Sequence, residues 1–118
     1  MQKILVIDDE KSILDIFQKG LRKYDYNVEI ASDVKEGIKK FDDGLCDLVI
    51  TDILMQGGNG NDIVRHIRSS DRQFTPVIGI SGTPWLLNNS DFDMVFIKPF
   101  PLKKLVNAIH DLSSTSSK

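Results

Sequence analysis

The 118 residues of this chain are enough for one domain with a single hydrophobic core. Its 41% hydrophobic and 27% charged residues are typical of a soluble globular protein, and a net charge of -2 argues against a nucleic-acid-binding surface. No apolar run reaches membrane-spanning length and the amino terminus lacks a signal-peptide pattern, so we expect a cytoplasmic protein without a membrane partner.

The first part of the chain alternates between an apolar run and an amphipathic stretch. Lys3–Ile7 is predicted to be a buried strand, and it stops at the acids of residues 8–10. Apolar residues then recur at helical spacing from about Lys11 to Lys23, and Val28–Ala31 forms a short second strand.

A second helix is predicted to start at Asp33, because Glu36 follows three residues later as in a capping box. After this helix comes Asp47–Asp52, an unbroken apolar run that ends on a carboxylate. Such a run is typical of a central strand that is buried on both faces.

Residues 53–60 are rich in glycine and are predicted to form an irregular loop, after which Asn61 or Asp62 caps a third helix. Val77–Ser81 is the fourth strand.

No clear pattern follows in residues 82–93, where at most a turn or two of helix fits. Met94–Ile97 is the fifth strand, and Pro101 suits the first turn of a last helix. We expect a domain of residues 1–112 and a disordered tail or truncated linker of residues 113–118.

Strands that alternate with helices predict an α/β fold, with three layers around a doubly wound parallel sheet of five strands. Polar residues stand at the carboxyl ends of four of these strands, where open parallel sheets bind ligands. They are Asp8, Asp9, Asp52, Ser81 and Lys98.

Three carboxylates in one crevice repel each other, and a hard divalent cation such as Mg²⁺ would compensate their charge. Lys98 adds a second cation and Ser81 a hydroxyl donor. The set suits a phosphoryl group, with one carboxylate as nucleophile.

The motifs around these residues resemble those of response regulator receiver domains, in order and over the whole chain. They are Ile7-Asp8-Asp9-Glu10, Leu48-Val49-Ile50-Thr51-Asp52, Ile80-Ser81-Gly82 and Ile97-Lys98-Pro99-Phe100. The resemblance is to the chemotaxis-type single receiver, and it implies a flavodoxin-like strand order of 2-1-3-4-5.

The resemblance implies that Asp52 accepts a phosphoryl group from a phosphohistidine on a sensor histidine kinase or a histidine phosphotransfer protein. Asp9, Asp52 and the Leu54 backbone carbonyl would hold Mg²⁺ or Mn²⁺, with Asp8 acting largely through water. Lys98 would pair with the phosphoryl oxygens and Ser81 would be the switch hydroxyl. The Lys98–Pro99 bond would be cis.

The sequence departs from the family pattern in three places. Gln56 stands where a proline is common, which predicts a looser loop. Val95 replaces the usual aromatic partner of the switch hydroxyl. The interval from Ser81 to Lys98 is short by roughly one helical turn, so the fourth helix of the family is expected to be short or missing.

Simpler explanations exist for each residue taken alone. Asp8 and Asp9 could cap the first helix, a role we accept in part for Asp9. Ser81 before a glycine is ordinary in a turn, and a lysine before a proline is usually a solvated loop residue. Only their combination around Asp52 favours a functional site.

Two other classes of function compete with a phosphoryl-accepting signalling domain. A phosphorylation-independent interaction module is favoured by Val95 and the expected loss of the fourth helix, and opposed by the intact acids and Lys98. An aspartyl-phosphate phosphatase would need an acid two residues after the nucleophile, where this chain has Leu54. We therefore expect self-catalysed phosphorylation and dephosphorylation but no turnover of an external substrate.

Overall fold

The main sheet has five parallel strands in the computed structural model, which describes residues 2–55, 58–82 and 91–116. The strands are β1 (Lys3–Ile7), β2 (Asn27–Ala31), β3 (Leu48–Asp52), β4 (Val77–Ser81) and β5 (Met94–Ile97). Their order is β2-β1-β3-β4-β5, and each neighbouring pair is parallel. The predicted fold and strand order are confirmed.

The central strand is β3, and all five of its residues are buried. Its unbroken apolar sequence follows from this position, because both of its faces are covered by helices. Along β1 the side chains alternate between the two faces, with Ile4 and Val6 on one side and Leu5 and Ile7 on the other.

Four helices in the described part of the chain cover the two faces. They are α1 (Lys11–Arg22), α2 (Val34–Asp43), α3 (Gly60–Arg68) and α4 (Leu102–Ser116). Phe17 of α1 and Ile109 of α4 belong to one apolar cluster, whereas Phe41 of α2 and Ile67 of α3 belong to the other. None of these helices is both long and apolar enough to cross a membrane.

The start of α2 is as predicted. Asp33 is the N-cap, and its carboxylate accepts a hydrogen bond from the backbone N–H of Glu36 at 2.7 Å. Glu36 reaches back to the N–H of Ser32, one residue before the cap, at 2.6 Å. The pair therefore satisfies two donors at the helix amino end.

The start of α3 was predicted wrongly. The N-cap is Asn59, whose side chain accepts a hydrogen bond from the N–H of Asn61, and neither Asn61 nor Asp62 has this role. The preceding loop is also more regular than expected, because Leu54–Met55 pairs antiparallel with Gly58–Asn59. This pairing brings the helix start forward to Gly60.

The last helix is longer than predicted, since it ends at Ser116 and the expected tail began at residue 113. The Ser113 hydroxyl donates a hydrogen bond to the Gln2 side-chain carbonyl at 2.7 Å. Gln2 directly precedes β1, so this contact fixes the end of α4 at the amino edge of the sheet.

Two expectations fall on residues outside the described ranges. The short or missing fourth helix concerns residues 83–90, and the looser loop concerns residues 56–57. Both stay predictions.

Candidate functional site

The sheet brings four chain segments together at its carboxyl edge. Asp8 directly follows β1, Asp52 and Ser81 are the last residues of β3 and β4, and Lys98 directly follows β5. The parallel register pairs the strand ends with each other, so these residues lie side by side, as predicted.

Lys98 lies between two buried carboxylates. Its Nζ is 3.2 Å from Asp52 Oδ2 and 4.0 Å from Asp8 Oδ2. Asp8 is 1% exposed and Asp52 6% exposed, while the Lys98 side chain remains partly accessible from the crevice. The peptide bond between Lys98 and Pro99 is cis.

Asp9 completes an acidic cluster with Asp8 and Asp52. One carboxylate oxygen from each residue lies within 4.8 Å of the others, and Asp9 is the exposed member. Three carboxylates at this separation are a suitable donor set for a hard divalent cation, so the residues fit the expected Mg²⁺. The single Lys98 cation does not balance three negative charges.

Burial raises the pKa of Asp8 to about 6. The hydrogen bond from the Glu10 backbone N–H, 2.9 Å from Asp8 Oδ1, acts in the opposite direction, and the nearby Asp52 charge raises the pKa further. Glu10 is also the N-cap position of α1, and Asp9 directly precedes it, so the partial capping role expected for Asp9 stays a prediction. The Lys98 charge lowers the pKa of Asp8 in part, so the raised value is what remains after the nearby ammonium group has acted.

Lys98 keeps its charge in this setting. Burial works to lower the pKa of its ammonium group, but the charge of Asp52 and the hydrogen bond to it, with a contribution from Asp8, raise the pKa overall. A permanently charged amine beside the Asp52 carboxylate is available to pair with incoming anionic oxygens.

The chain turns sharply after Asp52. The Leu54 N–H points to Asp52 Oδ1 at 3.4 Å, and Leu54 is 59% exposed. The role of its backbone carbonyl as a metal ligand stays a prediction.

Gly60 is a site residue that the sequence reasoning missed. A Cβ at this position would lie 2.5 Å from the Asp52 backbone oxygen and 3.0 Å from the Ile53 Cα. Only a residue without a side chain fits here, because both neighbours are backbone atoms. Its place in a glycine-rich segment next to Asp52 was the available signal.

Ser81 is 1% exposed, and its backbone carbonyl accepts a hydrogen bond from the Lys98 N–H at 2.9 Å. Its role as a switch hydroxyl stays a prediction.

Phe96, the aromatic residue next to Val95, stacks on Phe100 with 5.0 Å between the ring centroids. Both rings pack against the apolar cluster of α1 and α4. Val95 packs against the apolar cluster on the opposite face of the sheet, which includes Phe41 of α2 and Ile67 of α3.

Residues 4–110 match the family model of the response regulator receiver domain. The chain belongs to this family. Two curated relatives are the transcriptional regulatory protein TrcR of Mycobacterium tuberculosis and the response regulator ArlR of Staphylococcus saprophyticus. TrcR is 30% identical over 98% of this chain, and ArlR is 32% identical over 92% of it. The chain spans about half the length of each relative, 46% of TrcR and 51% of ArlR.

Solved receiver domains have the same fold. A response regulator receiver domain protein from Clostridium thermocellum superposes with a TM-score of 0.92 at 31% identity, covering 99% of this chain and 98% of that one. TrrA of Thermotoga maritima, in complex with Mg²⁺-BeF, gives a TM-score of 0.88 at 29% identity, covering 95% and 99%. TrrA in complex with the histidine kinase ThkA gives a TM-score of 0.84 at 29% identity, covering 95% of this chain and 98% of TrrA.

Proposed function

We propose that this receiver domain accepts a phosphoryl group on Asp52 in a reaction that depends on Mg²⁺ or Mn²⁺, and that phosphorylation shifts it between two conformations. The observation that carries the proposal is the arrangement of Asp8, Asp9 and Asp52 around Lys98. The acidic cluster suits a divalent cation, and the ammonium group beside Asp52 suits a phosphoryl oxygen, so the two groups can be bound together.

Asp52, Lys98 and Ser81 would each have a different role in the phosphoryl transfer. An Asp52 carboxylate oxygen would bond to phosphorus while the bond from phosphorus to the donor nitrogen breaks, and the electron pair leaves with the imidazole. Lys98 would exchange its contact with Asp52 for one with a phosphoryl oxygen, and Ser81 would donate its hydroxyl to another. The divalent cation, held by the acids, would neutralise the charge that otherwise repels the donor.

The proposed donor is a phosphohistidine on a sensor histidine kinase or a histidine phosphotransfer protein, in the cytoplasm. Receiver domains pair with histidine kinases, and the complex of TrrA with ThkA supports such a partner for this chain. The Mg²⁺-BeF complex of TrrA supports the cation. The downstream partner would be a protein, and the domain would turn over only its own phosphoryl group.

The test is the intact mass of the protein after incubation with a small phosphoryl donor such as acetyl phosphate. We expect a gain of one phosphoryl group with Mg²⁺, and no gain with EDTA or in Asp52→Asn. Asparagine keeps the size of the side chain but cannot act as the nucleophile, so this variant is the matched control.

A folded wild-type protein that gains no mass would contradict the proposal and favour a phosphorylation-independent interaction module. Val95 is the observation that favours this second function, since its side chain has no ring to couple with the Ser81 hydroxyl.

Leu54 is expected to slow the hydrolysis of the phosphorylated form. Leu54 is exposed and follows Asp52 by two residues, with its N–H directed at Asp52 Oδ1. Its apolar side chain would hinder a water molecule that attacks the phosphoryl group. Leu54→Asn should dephosphorylate several-fold faster than wild type, as measured by the decay of the phosphorylated mass after the donor is removed. Leu45→Asn is the control, because Leu45 is an exposed leucine at the opposite edge of the sheet; equal decay in all three proteins would exclude this role.

A further inference from the structure

Thr51 places a hydroxyl in the most deeply buried part of the sheet. It lies on the central strand β3, is 0% exposed, and has the apolar neighbours Val49 and Ile53 on the same face. A valine would have the same shape here. A buried hydroxyl costs free energy unless it makes a hydrogen bond, so its partner is informative.

The partner is the backbone carbonyl of Asp52, which accepts a hydrogen bond from the Thr51 hydroxyl at 3.0 Å. The last register pair between β1 and β3 is Ile7 with Thr51. The Asp52 carbonyl thus lies just past the end of the β1 ladder, although Asp52 is still paired with Ile80 of β4 on the other side of the strand.

The same carbonyl is held from another side by α3. A Cβ at Gly60 would lie 2.5 Å from it, and the Gly60 N–H donates to the next carbonyl, that of Ile53, at 2.8 Å. The N–H of the Asp52–Ile53 peptide donates to the Ile80 carbonyl of β4 at 2.9 Å. The neighbouring strand therefore holds the N–H side of this peptide, while the Thr51 hydroxyl and the start of α3 hold its carbonyl side. This peptide determines the direction of both the Asp52 side chain and the chain leading to Leu54.

We propose that Thr51 is a positioning residue for the cation site: its hydroxyl holds the Asp52–Ile53 peptide so that the Asp52 carboxylate and the Leu54 carbonyl face the same cation. The proposal rests on the proposed function, because it assigns Mg²⁺ to this crevice. Thr51 itself touches neither cation nor phosphoryl group.

Two substitutions separate this role from a merely structural one. Thr51→Val keeps the shape and removes the donor, whereas Thr51→Ser keeps the donor and removes a methyl group. We expect the Mg²⁺ dissociation constant, measured by titration calorimetry, to rise about fivefold in Thr51→Val, the effect of one hydrogen bond. It should stay near the wild-type value in Thr51→Ser.

A second readout needs no cation. Hydrogen exchange of the Leu54 and Gly60 amides, followed by NMR in EDTA, should be faster in Thr51→Val than in wild type and Thr51→Ser. If both variants lower the thermal midpoint but leave Mg²⁺ affinity and these amides unchanged, Thr51 is only structural and the proposal is wrong. A wild-type protein that binds no Mg²⁺ would instead overturn the proposed function, while the exchange data would still report on the peptide.

Discussion

Asp8→Asn is expected to raise the free energy of unfolding by about 3 kcal/mol at pH 7 without Mg²⁺. The pKa of Asp8 is raised from 3.8 to about 6 in the folded protein, and each tenfold change in an acid dissociation constant corresponds to about 1.4 kcal/mol. The unfolded chain therefore releases the Asp8 proton at lower pH than the folded protein does. Asparagine removes this penalty and can still accept the hydrogen bond from the Glu10 N–H.

The sign of the pH dependence follows from proton binding. Between pH 3.8 and about 6 the folded state holds more protons at Asp8 than the unfolded state does, so this group lowers stability as pH rises. Below that window the carboxyl is protonated in both states and the penalty disappears. The difference between Asp8→Asn and wild type should therefore be small at about pH 3.5 and reach its full size above about pH 6, because the same two pKa values bound the window.

Urea unfolding at a series of pH values in EDTA measures this difference. Asp15→Asn is the control, because Asp15 is an exposed acid on α1 and its substitution should change stability by less than about 0.5 kcal/mol. Saturating Mg²⁺ should reduce the difference in unfolding free energy between Asp8→Asn and wild type, since the cation would stabilise wild type more than a variant that lacks one carboxylate. A gap of the same size at every pH would show that burial of Asp8 is not its cause.

Gly60→Ala is expected to lower the free energy of unfolding by about 2 kcal/mol, within the usual cost of overpacking, and to slow phosphorylation of Asp52. The added Cβ would lie 2.5 Å from the Asp52 oxygen, which is a backbone atom and cannot rotate away. Either α3 or the end of β3 must move. Movement of β3 would displace the Asp52 carboxylate from Lys98.

Gly82→Ala is the matched control for this substitution. Gly82 follows Ser81 at the same edge of the sheet, and a Cβ there has no atom within 4 Å among the described residues. Gly60→Ala should have a lower free energy of unfolding in urea than Gly82→Ala, and it should gain mass more slowly with acetyl phosphate. Equal stability of Gly60→Ala and wild type would mean that the end of β3 can move to admit the Cβ at little cost in free energy, which would contradict the role given to this close contact.

The sequence predicted the fold and the strand ends because both depend on simple periodicity. A central strand must be apolar on both faces, so the run from Leu48 to Ile50 identified β3 and placed Asp52 at its end. Parallel strands in one sheet end at one edge, which brought Asp8 and Lys98 to Asp52.

The contacts that the sequence did not predict depend on the exact path of the backbone. The hydrogen bond of the Thr51 hydroxyl was not predicted, because its partner is a backbone carbonyl whose position depends on where the β1 ladder ends. The Asn59 cap was missed because it depends on a two-residue antiparallel pairing that no local pattern indicates. The length of α4 was underestimated because serine is a weak helix former, and Ser113 gains its partner from the other end of the chain.

The contact between Ser113 and Gln2 also determines how the domain can be tethered. Gln2 and Ser113 lie at the amino edge of the sheet, and the five residues of β1 separate that edge from Asp8 by roughly 15 Å. A linker joined to either end therefore departs from the side opposite Asp52. An affinity tag, a fluorophore or a sensor surface attached there would leave the acidic crevice accessible to a phosphoryl donor as large as a protein.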